Sequence, residues 1–360
     1  MNINAPLSIR RRMGLEIFRR LENERTEEHQ LKQLFWECTL RCNLHCRHCG
    51  SDCKKIAGHP DMPKEDFLRV LDSVSAQNDP HKVFVIITGG EPLMRKDLEE
   101  CGRAIYERGF PWGMVTNGLY MTRERLNGLL DAGLHTATVS LDGFAMDHNW
   151  MRGNPQSFER AVEAIKLMVQ VPDFVFDVVT CVNKHSYMRL EELKDFLISL
   201  GVKGWRLFTI FPAGRAAKEP ELQLSNEEFR GVMEFIRKSR KEGRIHVSYG
   251  CEGFLGNYEA EVRDTFFACR AGTSVGSVLI DGAISACPSI RADYHQGNIY
   301  ENDFMEVWNH RFRSYRDREW MKKDECADCK YFRFCKGNGM HLRDENGDLL
   351  FCHLKRLQTP

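Results

Sequence analysis

The chain has 360 residues, enough to bury a large core, and its 51 Lys and Arg balance 51 Asp and Glu, so no overall field draws it toward nucleic acid or an anionic membrane. Its apolar runs are strand-sized, which excludes a transmembrane helix, and residues 8–31 are too charged to contain the apolar core of a signal peptide. A cytoplasmic location is expected, and there 14 cysteines read better as metal ligands and buried thiols than as disulfides.

In chain order, residues 8–30 form the first expected helix, with Met13, Ile17 and Leu21 at i, i+4 and i+8. Packing of that stripe against the body of the protein is the favoured reading; a membrane-surface or partner helix is the alternative. Strands are then expected at Leu34–Cys38, Val83–Thr88, Trp112–Thr116, Thr136–Leu141, Phe174–Cys181 and Trp205–Ile210. Helices fall near 64–77, 96–108, 123–131, 157–169, 189–199 and 226–240, the last with Ser225 as its N-cap. Near-continuous apolar strands separated by amphipathic helices indicate a parallel sheet covered by helices. A partial barrel and a doubly wound sheet both satisfy that periodicity. The expected organisation is a helical extension over 1–30, a core over 31–245 and a small cysteine-rich domain over 246–360.

The unusual residues sit where the strands end. Cys42, Cys46 and Cys49 follow the first strand in CxxxCxxC spacing. Gly89-Gly90-Glu91-Pro92 follows the second, Thr116-Asn117-Gly118 the third, and Ser140-Leu141-Asp142-Gly143 closes the fourth. Each short motif alone reads as an ordinary turn. Together they mark the carboxyl face of a barrel, where the βα loops converge. Three thiolates cannot complete the four-sulfur ligation of a cubane iron–sulfur cluster, so one iron would stay open to a small molecule. Zinc is the alternative, although structural zinc sites usually close with four ligands. Glycines without a Cβ let the backbone of the second motif approach a ligand closely.

This set of motifs resembles the radical S-adenosylmethionine (SAM) enzymes. The resemblance implies a partial (β/α)6 TIM-like barrel and a 4Fe–4S cluster on Cys42, Cys46 and Cys49. The open iron of that cluster binds the amino and carboxylate groups of SAM, whose reductive cleavage gives a 5'-deoxyadenosyl radical. It further implies that Gly89, Gly90 and Glu91 engage the SAM amino group, that Ser140 and Arg152 hold its carboxylate, and that Thr116 and Asn117 lie near its ribose or adenine. A guanidinium suits a carboxylate because its fork makes two parallel hydrogen bonds; a surface or helix-capping arginine is the alternative for Arg152. One position varies: the residue before the last cysteine, often aromatic in the family, is His48. The loop Phe211–Arg215 after the sixth strand resembles one that lies over the active site in related enzymes. A reducing partner such as flavodoxin or ferredoxin is also implied.

From Cys251 the texture changes to short strands and many glycines. Cys269, Gly282…Cys287, Cys326-x2-Cys329-x5-Cys335 and Cys352 resemble the SPASM domain, an extension that holds auxiliary 4Fe–4S clusters. The last four cysteines make one complete ligand set, which on spacing alone zinc could also occupy. The family pattern carries a further cysteine where this chain has Gly339, so the first auxiliary cluster, on Cys269 and Cys287, lacks a ligand. Three arrangements stay open there: no cluster, a cluster with an open iron, or recruitment of Cys251. In sulfatase-maturing members an Asp acting as base follows the second of these cysteines, whereas here Cys287 precedes Pro288 and Ser289, which weakens that reading. Cys38, Cys53, Cys101 and Cys181 read as buried small hydrophobes, Cys53 being the one close to the main loop.

The expected function is hydrogen abstraction from a peptide or protein side chain, by resemblance. Maturation of a tetrapyrrole or other small cofactor is the rival enzyme reading. An iron–sulfur electron carrier or zinc scaffold is the non-enzyme rival, and it has no use for Gly90, Glu91, Ser140 and Arg152.

Overall fold

A computed structural model describes residues 7–250 and 252–359 of the chain. One ten-stranded sheet runs through it. The strands are β1 (Gln33–Thr39), β2 (Phe84–Gly89), β3 (Trp112–Thr116), β4 (Leu134–Ser140), β5 (Val175–Val182), β6 (Gly204–Thr209), β7 (His246–Tyr249), β8 (Val275–Val278), β9 (Ala283–Ser285) and β10 (Gly297–Asn298). The helices that matter below are α1 (Ile9–Glu28), α2 (Lys64–Ser75), α3 (Leu98–Glu107), α4 (Arg123–Asp131), α5 (Ala145–Arg152), α6 (Ser157–Val169), α7 (Lys184–Tyr187), α8 (Leu190–Ser199) and α9 (Asn226–Glu242).

Strand order separates the two topologies that periodicity leaves open. β1 to β7 lie side by side in sequence order, and each pairs with the next in parallel. Parallel crossovers are right-handed, so consecutive order places every connecting helix on the same side. A doubly wound sheet reverses its order partway and puts helices on both faces. The chain therefore has a partial (β/α) barrel core. All six expected strands and all seven expected helices are present. Sequence reading missed β7, too short to carry a pattern, and α5, whose residues AMDHNWMR mix polar and apolar types over two turns.

Large aromatics fill the layer between sheet and helices: Trp36, Trp112 and Trp205 are fully buried, and Trp36 stacks on Phe67 of α2 at 4.5 Å. Ser225 caps α9 in a reciprocal box with Glu228, and Gly243 ends that helix in the left-handed conformation. β8 pairs in parallel with β1, and β9 and β10 continue antiparallel beyond it. The C-terminal segment thus extends the core's own sheet at the β1 edge.

Helix α1 departs from expectation. Met13, Ile17 and Leu21 face solvent, while Leu15, only 2% exposed, packs with Phe254, Phe267 and Leu354. Phe18 lies against Phe266 at 5.6 Å, and Arg11–Glu261 (2.7 Å) and Glu22–Arg270 (2.5 Å) pin the same side. The C-terminal segment presents three phenylalanines and two counter-charges to that face, and these outweigh the stripe on the other side. Leu15→Ala should therefore cost about 2–5 kcal/mol of stability. Met13→Ala should stay within about 0.5 kcal/mol. Thermal and denaturant melts of the two variants check the orientation, and equal losses would contradict it.

Candidate functional site

The cysteine loop follows β1 at the carboxyl end of the sheet, and three neighbouring segments fix it through its backbone. The amides of Gly90 and Glu91 donate to the carbonyls of Thr39 (2.7 Å) and Arg41 (2.9 Å). The amides of His45 and Arg47 donate to Arg152 O (3.3 Å) and Met151 O (2.8 Å), carbonyls left open at the end of α5. Arg215, in the loop after β6, donates from Nε to Cys46 O (2.7 Å) and from Nη1 to Cys53 O (3.1 Å).

The two glycines also have a structural reason of their own. A Cβ on Gly89 would lie 2.1 Å from Thr39 O, and one on Gly90 would lie 2.3 Å from Arg41 O. The close approach that requires glycine is to the cysteine loop itself, and the two amides after Gly89 are consumed by it. Glu91 turns the other way and is fully buried. Its carboxylate accepts from Thr116 Oγ1 (2.7 Å), Asn117 N (2.7 Å) and Leu93 N (3.2 Å). The three expected cofactor-binding residues Glu91, Thr116 and Asn117 are thus tied to one another. Asn117 then reaches the cysteine loop, donating from Nδ2 to Asn43 Oδ1 (2.8 Å) with Cys42 Sγ at 3.9 Å.

On the far side lies a buried charge cluster. Arg152 donates from Nε to Asp142 Oδ2 (2.6 Å), and its Nη1 is 3.7 Å from Cys46 Sγ. Asp142 Oδ1 accepts from Cys181 N (2.9 Å), and Asp142 N donates to His148 Nδ1 (2.9 Å). Burial alone would raise the Asp142 carboxyl, but Arg152, His48 and His148 overcome it and hold it at about 2. Burial drives His48 down to about 4 and His148 to about 3, so both rings are neutral at pH 7. Ser140 ends β4 beside this cluster. Arg152 thus commits its Nε to Asp142 and directs Nη1 at the Cys46 sulfur.

Cys42 and Cys46 are buried, Cys49 is half-buried, and all three pack with Leu44 and Cys53. Burial pushes the Cys42 thiol up to about 12. Cys49 is held below the usual thiol range chiefly because the Cys53 thiol donates to it. A sulfur-only donor set beside a guanidinium fits an iron–sulfur cluster with Cys42, Cys46 and Cys49 as ligands. Two buried polar atoms around it, Asn43 Nδ2 and His48 Nδ1, have no partner, as expected of a pocket built for a polar ligand such as SAM.

In front of the loop is a cavity of about 230 Å³, lined by Glu37, His48, Thr88, Cys181, Phe211 and Ser289 among others. Sequence reading missed Glu37. It is buried on β1, its Oε1 accepting from Arg291 Nη1 (3.2 Å) and its Oε2 from Ile280 N (3.2 Å). The sequence signal, a lone carboxylate in an apolar strand, was available. Cys38 and Cys101 are buried as expected, whereas Cys181 faces this cavity.

The last four cysteines, Cys326, Cys329, Cys335 and Cys352, line a second cavity of about 420 Å³. Asn338 N donates to Cys335 Sγ (3.2 Å) and Arg343 Nη2 to Cys326 Sγ (3.4 Å). Donors aimed at sulfur stabilise cluster thiolates, so this set fits a closed auxiliary cluster. Cys269 and Cys287 lie elsewhere, both beside Tyr315. At position 339 a Cβ would meet the Glu252 carbonyl at 2.7 Å and the His341 ring at 2.6 Å, so a cysteine there would force its neighbours to shift. Cys251 lies outside the described residues, and the described cysteines do not complete the first auxiliary set.

Comparisons with known proteins agree with this geometry. A family model described as the radical SAM superfamily matches residues 36–197, and one described as an iron–sulfur cluster-binding domain, SPASM, matches 269–330. An AdoMet-dependent heme synthase of Methanosarcina barkeri is 28% identical over 88% of this chain and 93% of that protein. The mycofactocin maturase of Mycolicibacterium smegmatis is 26% identical over 85% and 77%. Among solved structures, Streptococcus suis SuiB bound to its precursor peptide SuiA superposes with a TM-score of 0.68 at 18% identity, covering 88% and 74%, a likeness of fold.

Gly90→Ala should strip the core cluster and leave the auxiliary one, because the Arg41 carbonyl cannot move without moving Cys42. Iron in the reconstituted protein should fall by about four atoms per chain, read by iron and sulfide analysis. Unchanged iron and SAM cleavage would show that the clamp is not needed.

Proposed function

The chain is a radical SAM enzyme with a C-terminal SPASM domain, and from that premise we propose that it modifies a side chain of a peptide or protein by hydrogen abstraction. Maturation of a peptide or of a cofactor is the coarser reading that its relatives support. Bound SAM, given one electron, supplies a 5'-deoxyadenosyl radical that removes one hydrogen atom from the substrate. Cys42, Cys46 and Cys49 would hold the core cluster, and Arg152 and Ser140 would take the SAM carboxylate. The Gly90 carbonyl, which the clamp leaves unused, would face the SAM amino group. Cys326, Cys329, Cys335 and Cys352 would hold the auxiliary cluster. Residues 31–245 act as the core in this reading, 246–360 as the cluster-bearing domain and 1–30 as an extension. A flavodoxin or ferredoxin in the cytoplasm would supply the electron.

The observation that carries the substrate class is the likeness to peptide-acting proteins, the mycofactocin maturase in sequence and SuiB with its precursor peptide SuiA in fold. A substrate side chain would enter the cavity in front of the cysteine loop. Glu37 is the carboxylate that lines it, and Arg291 and the Ile280 amide fix both of its oxygens. Were the product radical to lose a proton, Glu37 would take it, in place of the Asp that sulfatase maturases carry after the second SPASM cysteine, and the auxiliary cluster that Cys326, Cys329, Cys335 and Cys352 would hold would accept the electron.

A second reading is favoured by one observation, the 28% identity to a heme synthase over nearly its whole length. A carboxylate-bearing arm of a tetrapyrrole would also reach into this cavity. Deuterium separates the two. Anaerobic enzyme, SAM and reductant are mixed with the protein fraction or the small-molecule fraction of cells grown in deuterated water. Deuterated 5'-deoxyadenosine should form with the protein fraction and vanish when that fraction is digested with protease. Label arriving from the small-molecule fraction, or from an added deuterated iron porphyrin, would overturn the peptide reading.

Cys46→Ala should abolish 5'-deoxyadenosine formation altogether, whereas Cys335→Ala should retain part of it and lose substrate modification. The two residues belong to separate ligand sets. Chromatography of the nucleoside products checks both, and undiminished cleavage in the Cys46 variant would remove the core assignment.

A further inference from the structure

The exposed face of α1 has no role in the chemistry above. Ile9, Met13, Ile17 and Leu21 are 79%, 62%, 60% and 45% exposed and recur every four residues along it, forming one apolar stripe on the helix surface. The helix is firmly seated on its other side by Leu15 and Phe18, so the stripe cannot turn inward. Contiguous exposed apolar surface of this kind marks an interaction site.

Charge decides the occupant. Arg10 and Arg12 are exposed in the first turn, Arg20 just past the middle, and Glu24, Glu27 and Glu28 toward the C-terminal end. Among the described residues none of these six makes a close ion pair. A helix that lies on an anionic membrane is basic along its polar face, and the three glutamates oppose that. A segregated charge pattern is instead complementary to itself when reversed. We infer that α1 is the interface for a second copy of this chain, the two helices running antiparallel about a two-fold axis near Ile17.

Such an interface is isologous, so each contact occurs twice. With Ile17 at the axis, Met13 falls opposite the partner subunit's Leu21, four residues either side, and Arg10 opposite the partner subunit's Glu24, seven either side. The apolar stripe is closed along its centre while Arg and Glu meet along its edge. A single helix pair lies at the small end of specific interfaces, so the dimer should dissociate at about micromolar concentration. The inference does not depend on the substrate reading.

Sedimentation velocity of the reconstituted full chain from about 1 to about 100 μM tests it. The mass should move from one chain to two across that range. Met13→Glu with Ile17→Glu should stay monomeric at the top concentration with SAM cleavage unchanged, since neither residue supports the core. Arg10→Glu and Glu24→Arg should each weaken the dimer by about tenfold, and the double variant Arg10→Glu/Glu24→Arg should recover it. A wild-type monomer throughout, a dimer that survives the double glutamate variant, or no recovery in the charge swap would overturn the inference. So would retention on phosphatidylglycerol vesicles with no dimer, which would assign the stripe to a membrane surface.

Discussion

The cysteine loop has no regular secondary structure of its own, and the rest of the site depends on how its backbone is held. Buried peptide groups must find partners, and here the partners come from loops after other strands. Gly90 and Glu91 supply amides, α5 supplies its terminal carbonyls, and Arg215 supplies a guanidinium. The three thiols are therefore placed by the relative positions of β2, β4 and β6, and a barrel is the arrangement that brings those strand ends together. The same hydrogen bonds explain why the motif after β2 needs two glycines: the backbones of two loops touch where a Cβ would stand.

Charge is the second constraint. A buried carboxylate, a buried guanidinium and thiols bound for deprotonation share one small volume. Asp142 orients Arg152, and Arg152 in turn sits beside the Cys46 sulfur. A buried ion pair contributes little net stability against apolar packing, so its value here is positional. Neutral His48 and His148 complete the wall without adding charge.

A third feature joins the cavity to the auxiliary set. Thr209, which lines the cavity, donates from its backbone amide to Glu252 (3.0 Å) and also bonds its carboxylate through the hydroxyl. The phenol of Tyr249 binds the same carboxylate, and His353 Nε2 lies 3.3 Å from it. His353 follows Cys352 directly in the chain. A buried polar network thus runs from the cavity wall at Thr209 to the residue beside Cys352.

Sequence by itself determined the elements that carry strong periodicity: six strands, seven helices and the capping box at Ser225 are where their patterns put them. It also determined the convergence of motifs at the strand ends, since residues that follow parallel strands must emerge on one face. Element order is local information, and so is a cysteine spacing. What only the tertiary structure decided was which neighbour each group spends its bonds on. The glycines of the second motif serve the cysteine loop, Glu91 serves Thr116 and Asn117, and Glu37 reaches the cavity because the C-terminal segment adds Arg291 beside it. Helix α1 shows the limit most plainly. Its sequence contains two apolar faces, and the one to be buried was chosen by phenylalanines about 250 residues away in the chain, which no local pattern can announce.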